Sequence, residues 1–310
     1  MKPTRRVLVD GTAFHAMTED EVVIEIMGAL DDGRGGTVIT PNVDILRQLR
    51  EPNLREMADG ADLVVADGAP VVLASRLMRD PLPERVTGSS LITSLSSAIM
   101  ARGGGVMLLG GHEPMVSERA AEKLVDSSPS GTVMHHYPPF GFEESVSELS
   151  EIDRLIRAHE PDVVFVGLGF PKQEAFSQVL HSAHSSTWFI GCGGSIAMLA
   201  GEVSRAPRWV QALGAEWLYR LAQEPRRLFR RYIVHDIPYA CGMLVRAALA
   251  GLFRSPDDHS VIDDATTSSA SSSDEVSESV VHEAAFSPAE PARVSVVEID
   301  GGGPEQQRSA

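Results

Sequence analysis

The sequence predicts an α/β fold, a Rossmann-like three-layer sandwich with a largely parallel sheet. Three observations carry this. Short β-branched runs alternate with helical patterns along the first 200 residues. The runs end in Gly-rich turns such as Asp67-Gly68, Gly110-Gly111, Gly167-Leu168-Gly169 and Gly191-Cys192-Gly193-Gly194. Several are apolar on both faces, as buried parallel strands are.

Residues 6–9 (RVLV) read as a first strand. Thr18 and Glu21 make a capping-box pattern ahead of the helix EVVIEIMGAL. Strand 36–40 ends in Thr40-Pro41-Asn42, and a helix runs from Val43 to about Glu51. Leu63–Ala66 read as a buried strand that stops at Asp67-Gly68, and Pro70 opens the next helix. After Arg85-Val86-Thr87-Gly88 comes an apolar helix, 89–100. Strand 105–109 breaks at Gly110-Gly111 before a helix over 113–125. A weak strand covers 132–136 and an amphipathic helix 144–159. Strand 161–166 leads through Gly167–Phe170 into a helix from Pro171, and strand 188–190 ends at the last glycine cluster.

The chain divides into a core over 1–200, an Arg-rich helical appendage over 201–254 and an acidic, Ser-rich tail over 255–310. The net charge of −16 misleads, because the tail holds 12 Asp/Glu against 2 Arg and leaves only −6 for the rest. So little apolar surface cannot offset the ordering entropy, and the tail is expected to be disordered. Residues 205–231 carry seven arginines (Arg205, Arg208, Arg220, Arg226, Arg227, Arg230, Arg231) against Glu216 and Glu224 alone, which points to an anionic partner. Trp209, Leu213 and Trp217 fall at helical spacing and are expected to pack that helix onto the sheet. Residues 232–254 are apolar but interrupted by Asp236, Pro238 and Arg246, so an interfacial segment is expected rather than a span. There is no signal-peptide pattern, and two cysteines fit a reducing compartment.

In open α/β sheets, ligands bind outside the carboxyl ends of the strands. Asp67 sits at such an end, where it could act as a general base, hold sugar hydroxyls, or simply make a turn. The other ends bring Thr40 and Asn42, Gly110-Gly111, and Gly167–Pro171 with Lys172, Gln173 and Glu174. Glycines at strand–helix turns let backbone approach phosphate, though each pair is equally a chain turn. Neither GxGxxG nor GxxxxGK[ST] is present, nor HExxH, a Cys/His ligand set or DxD, and GGSIAM lacks nucleophile-elbow spacing. His135 and His136 are adjacent, so their side chains diverge on a strand. What survives is metal-free chemistry on a nucleotide-linked substrate, with arginines meeting the diphosphate charge.

These residues resemble the WecG/TagA/CpsF bacterial glycosyltransferases, glycosyltransferase family 26. The matching pieces are TPNVDIL (40–46), ADLVVADGAPVV (61–72), RVTG (85–88), MLLGG (107–111), PDVVFVGLGFPKQE (161–174), IGCGG (190–194) and GEVSRAPRWVQALGAEWLYRLAQEPRRLFRRYIV (201–234). The resemblance covers about residues 5–240. It implies inverting, cofactor-free transfer of N-acetylmannosamine, glucose or a similar sugar from a UDP-sugar to a polyprenyl-diphosphate-linked saccharide, during cell-surface polysaccharide synthesis. It implies Asp67 as catalytic base. Thr40, Asn42, Gly68, Arg85, Gly88, Gly110, Gly111, Gly169, Lys172, Gln173 and Glu174 are expected beside substrate. Arg205, Arg208, Arg220, Arg227, Arg230 and Arg231 are expected on the diphosphates and the membrane. A peripheral position at the inner face of the plasma membrane follows, with a homo-oligomer compatible and no nucleic-acid partner expected.

Two positions depart from the family pattern. Ser90 stands where Asp is usual, and Ile196-Ala197 where Phe-Asp is common. Either change bears on donor choice or activity, and the alternative is an inactive UDP-sugar or lipid-diphosphate binding protein. Two other rivals are weaker. An oxidoreductase lacks its fingerprint, and a nucleic-acid binder would have to stack bases on Trp209, Trp217 and Tyr219.

Overall fold

The computed structural model describes residues 4–127, 130–204, 206–207, 210, 214–253 and 295–297. β1 (Arg6–Val9) and β2 (Thr12–His15) form an antiparallel hairpin, so the first strand exists but stands outside the main sheet. Its turn, Asp10-Gly11, has positive φ at both residues, the conformation for which Asp-Gly is favoured. α1 (Glu19–Asp31) starts at the Thr18 capping box, with both reciprocal bonds formed.

The remaining core elements are β3 (Gly36–Ile39), α2 (Val43–Gln48), α3 (Pro52–Asp59), β4 (Leu63–Val64), α4 (Ala69–Leu77) and α5 (Gly88–Ala101). They continue with β5 (Gly105–Gly110), α6 (Pro114–Ser127), β6 (Thr132–His136), a 3₁₀ turn (Phe142–Glu144) and α7 (Val146–His159). β7 (Val163–Gly167), α8 (Lys172–Ala183), β8 (Trp188–Gly191) and α9 (Ser195–Ala200) complete the core. The main sheet runs β4-β3-β8-β7-β5-β6 with all six strands parallel. β9 (Ser295–Val297) adds an antiparallel edge on β6. The rest of the tail read as disordered, 255–310, lies outside the described residues.

The two faces of the sheet show why the layers form. Val106, Leu108, Val163, Phe165, Trp188 and Ile190 face α1, α5, α6 and α9. Their neighbours Met107, Leu109, Val164, Val166 and Phe189 face α7 and α8. Phe165, Trp188 and Phe189 are fully buried, and each such side chain stabilises the fold by about 2–3 kcal/mol. Beyond β5 the chain moves outward to β6, whereas β7 returns it to β8. Crossovers leaving in opposite directions open a crevice at the carboxyl ends of β5 and β7.

α10 (Glu216–Gln223) and α11 (Pro225–Phe229) follow. A π-helical stretch, Arg230–Asp236, joins α11 to α12 (Ile237–Phe253). Residues Pro225–Phe253 thus run as one helix, long and apolar enough by length and composition to cross a membrane. The interruptions noted in the sequence do not break it. The wide π turn just ahead of Pro238 absorbs the missing N–H and the ring's clash. α12 seats Met243 and Ala247 in the cluster beneath α4. A Cβ on Gly251 would run into the Leu77 carbonyl oxygen, so only glycine permits this approach.

Candidate active site

A cavity of about 590 Å³ lies over the carboxyl ends of the sheet, roofed by α10 to α12. Its size suits a nucleotide-sugar, since ligand pockets run about 300–1,000 Å³. Its walls include Thr40, Asn42, Asp67, Gly68, Arg85, Gly111, Gly169, Lys172, Gln173, Arg220, Arg227 and Arg231. Residues drawn from six separate stretches of sequence therefore converge.

Asp67 is half-buried beyond β4, with its N–H donating to the Pro41 carbonyl at 3.1 Å. That bond extends the β3–β4 ladder past its last pair and fixes where the carboxylate leaves the sheet. Asn42 caps α2: its Oδ1 accepts from the Ile45 N–H at 3.1 Å, leaving the side-chain nitrogen as its polar group for a ligand. The buried Thr40 hydroxyl lies 3.5 Å from the Gly191 carbonyl oxygen.

Two of the glycine N–H groups at the cavity are engaged inside the protein. The Gly111 N–H donates to the Gly167 carbonyl oxygen at 3.2 Å, and the Gly169 N–H donates to Gln173 Oε1 at 3.0 Å. Both donors are committed within the protein rather than left for phosphate. A Cβ on Gly110 would come within 2.9 Å of the Gly167 carbonyl oxygen, and one on Gly88 within 3.1 Å of Cys192 Cα. Close packing and a positive φ require glycine at Gly110, and packing is tight at Gly88. Gly88, Gly110 and Glu174 are not among the cavity walls. Arg230 is exposed and also outside the walls. Arg205, Arg208 and Trp209 lie outside the described residues.

Arg85, Arg231 and Lys172 are paired with carboxylates from distant segments, and Arg227 with one three positions earlier. Arg85 meets Glu216 at 2.9 Å, Arg231 meets Asp44 at 3.1 Å, Arg227 meets Glu224 at 2.5 Å, and Lys172 pairs with Glu143. The Nε of Arg220, like that of Arg231, is buried without a hydrogen-bond partner in a cavity wall. An unsatisfied buried guanidinium N–H is costly unless a ligand supplies the acceptor, so it suits an anion. Asp236 lies among Asp44, Arg47 and Arg231, and burial, followed by the Asp44 charge, pushes its carboxyl up to about 6. Among the described residues, no group of three or more His, Cys, Asp or Glu is arranged to hold a metal ion. His135 and His136 diverge as expected, with Glu118 and Glu122 of α6 influencing the first and Glu151 of α7 the second.

Several wall residues escaped the sequence reading. Trp217 does not pack onto the sheet: it lines the cavity and meets Tyr232 edge-on, with ring centroids 6.3 Å apart. α10 buries none of its residues, so its large apolar side chains remain at its surface and at the cavity. Glu216, Asp44 and Asp236 join the walls, as does the loop Tyr137–Glu143, where Lys172 Nζ lies 5.5 Å from the centroid of the Phe140 ring. The two departing positions are elsewhere. Ser90 belongs to the capping network of Thr87, and Ala197 is buried in the core; neither lines the cavity.

Comparison with known proteins places the sequence among described relatives. A family model described as "Glycosyl transferase WecG/TagA/CpsF family" matches residues 7–251. An N-acetylglucosaminyldiphosphoundecaprenol N-acetyl-beta-D-mannosaminyltransferase of Bacillus spizizenii is 30% identical over 199 residues, 64% of this chain and 75% of the relative. The protein of the same description from Staphylococcus aureus is 33% identical over 175 residues, 56% of this chain and 66% of the relative.

Proposed function

The chain belongs to the WecG/TagA/CpsF glycosyltransferase family, and from that premise we propose that it transfers N-acetylmannosamine from a UDP-sugar to a polyprenyl-diphosphate-linked saccharide. The observation that carries this is the position of Asp67 in a cavity that Arg220, Arg227 and Arg231 also line. A base and an anion-binding wall facing one space are what an inverting displacement requires.

In this reading Asp67 takes the proton of the acceptor hydroxyl as its oxygen attacks the anomeric carbon. The bond from that carbon to the UDP oxygen breaks, and the sugar inverts. The leaving diphosphate gains charge, and the unpartnered Arg220 Nε offers a hydrogen bond where that charge develops. Thr40 and Asn42 supply polar groups beside Asp67. The chemistry needs no metal in this scheme, because guanidinium groups carry the electrostatic load.

We also place the chain peripherally at the inner face of the plasma membrane. Val245, Leu249, Leu252 and Phe253 of α12 are exposed on the side opposite its packed face, and Arg226 and Arg230 are exposed on the same long helix. An apolar face beside exposed cations suits an anionic membrane surface.

UDP release from a panel of UDP-sugars, with a polyprenyl-diphosphate saccharide and EDTA present, tests the reaction. Acceptor-dependent release by the wild type should fall by about 10²–10⁴-fold in Asp67→Asn, while donor binding persists. Equal rates would remove Asp67 from the chemistry. UDP binding without transfer across the panel would favour a binding protein instead.

A further inference from the structure

Gln173 and Glu174 open α8, and both are almost fully buried. Gln173 Oε1 accepts two backbone hydrogen bonds, from the N–H of Gly169 and the N–H of Gly193, each at 3.0 Å. One glycine belongs to the loop after β7 and the other to the loop after β8. A single side-chain oxygen therefore joins the turns of two neighbouring parallel strands, and both turns line the cavity.

This arrangement fixes which way the amide faces. Backbone N–H groups only donate, so the oxygen must lie between them. The amide nitrogen is then directed the other way, to Glu174 Oε1 at 2.8 Å. The second oxygen of Glu174 is buried without a hydrogen-bond partner, so the carboxyl is held there at a cost. Gly191 belongs to the same assembly: a Cβ there would lie 2.7 Å from Gln173 Nε2 and 2.8 Å from Glu174 Oε1. Glu174 does not itself line the cavity and, among the described residues, has no cation beside it; its side-chain partner is the amide of Gln173, which does line the cavity.

We infer that Glu174 is a positioning residue for sugar transfer, acting through the Gln173 amide to lock the β7 and β8 loops into one rigid floor. Without its acceptor, the Gln173 nitrogen is buried and unpaired, and the amide gains by turning or leaving its slot. The two loops then separate, and the cavity loses the relation between its Thr40 side and its Gly167–Lys172 side. The inference rests on the transfer reaction proposed above, but the brace itself exists in the ligand-free protein.

The test uses the full chain and two readouts: amide exchange at Gly169 and Gly193, and kcat and donor KM for UDP-N-acetylmannosamine. Glu174→Gln keeps an acceptor oxygen of the same reach, whereas Glu174→Ala removes it. We expect Glu174→Ala to expose both glycine amides and to lower kcat about tenfold or more, with Glu174→Gln close to wild type on both readouts. A second pair of variants covers failure of the alanine variant to fold. Gln173→Glu places two carboxyls together, and adding Glu174→Gln restores a donor facing an acceptor with the polarity reversed. The double variant should recover exchange protection and activity relative to Gln173→Glu. Wild-type exchange and kcat in Glu174→Ala, damage in Glu174→Gln equal to that in Glu174→Ala, or a double variant no better than Gln173→Glu would overturn the inference. Wild-type protein inactive on every donor would instead overturn the proposed reaction, and the exchange comparison would still decide the brace.

Discussion

Arg85 Nη1 donates to Glu216 Oε2 at 2.9 Å, joining the loop ahead of α5 to the first residue of α10 across 131 positions of sequence. Both side chains are largely shielded, and both line the cavity. The pair is therefore a clasp between core and appendage as well as part of the cavity wall. Glu216→Ala leaves a shielded guanidinium unpaired, and we expect it to cost about 1–2 kcal/mol, between the values for exposed and buried pairs. Denaturant unfolding of Arg85→Ala, Glu216→Ala and the double variant measures it. Strict additivity of the two single effects would show that the residues are not coupled.

Glu174 predicts a pH dependence of stability. Burial pushes its carboxyl up to about 7 from the usual 4.5. Between those values the folded chain holds a proton that the unfolded chain releases. Stability therefore falls as pH rises through that window and stays lower above it. Glu174→Gln cannot ionise and removes this slope. Its stability relative to wild type should rise from pH 5 to pH 8 by on the order of 2–3 kcal/mol. The extra N–H of the glutamine carries its own cost, but that cost does not vary with pH. Parallel unfolding curves at the two pH values would show that the carboxyl titrates normally.

Gly191 ends β8 directly against this pair. Gln173 and Glu174 are too buried to retreat from a new methyl group. Gly191→Ala should destabilise the fold by about 1–3 kcal/mol through overpacking. It should also raise amide exchange at Gly193, because the methyl group displaces the side chain that holds that amide. Thermal melting gives the first outcome and exchange the second. A wild-type melting temperature would mean that the floor is looser than its contacts indicate.

The sheet was legible because its strands are locally autonomous signals: β-branched runs, glycine turns and capping residues sit within a few positions of each other. The capping box of Thr18 and Glu21 appeared as read. The hairpin partner β2 was not legible, because TAFH alternates weakly and follows its turn without an apolar run. α3 was missed because Pro52 signals an ending as readily as a first helical position. At the site, Asp67, Asn42 and Gln173 were legible as polar residues at strand ends. Glu216, Asp44 and Asp236 were not, because their meaning lies in ion pairs with residues far away in sequence or on other elements. For the glycines, sequence shows that backbone can come close, not whether phosphate or the neighbouring strand fills the gap. Trp217 was misassigned because helical spacing identifies an apolar stripe but not what the stripe faces.

α12 tests the membrane placement. Its Met243, Ala247 and Gly251 face is committed to the core, and Gly251 lies against the last turn of α4. Leu249, Leu252 and Phe253 are free of that packing, with Phe253 88% exposed. Charges at Leu249 and Leu252 should therefore leave the fold intact, since surface changes typically cost within about 0.5 kcal/mol. They should weaken sedimentation with vesicles containing anionic lipid by about tenfold or more, because each removes a large apolar side chain from the contact and adds repulsion. Glu at the exposed Met115 of α6, on a different part of the surface, serves as the control and should leave sedimentation unchanged. Salt separates the two contributions: raising ionic strength should weaken the arginine attraction in wild type and leave the apolar part. Unchanged sedimentation of Leu249→Asp/Leu252→Asp would move the membrane contact off α12 altogether.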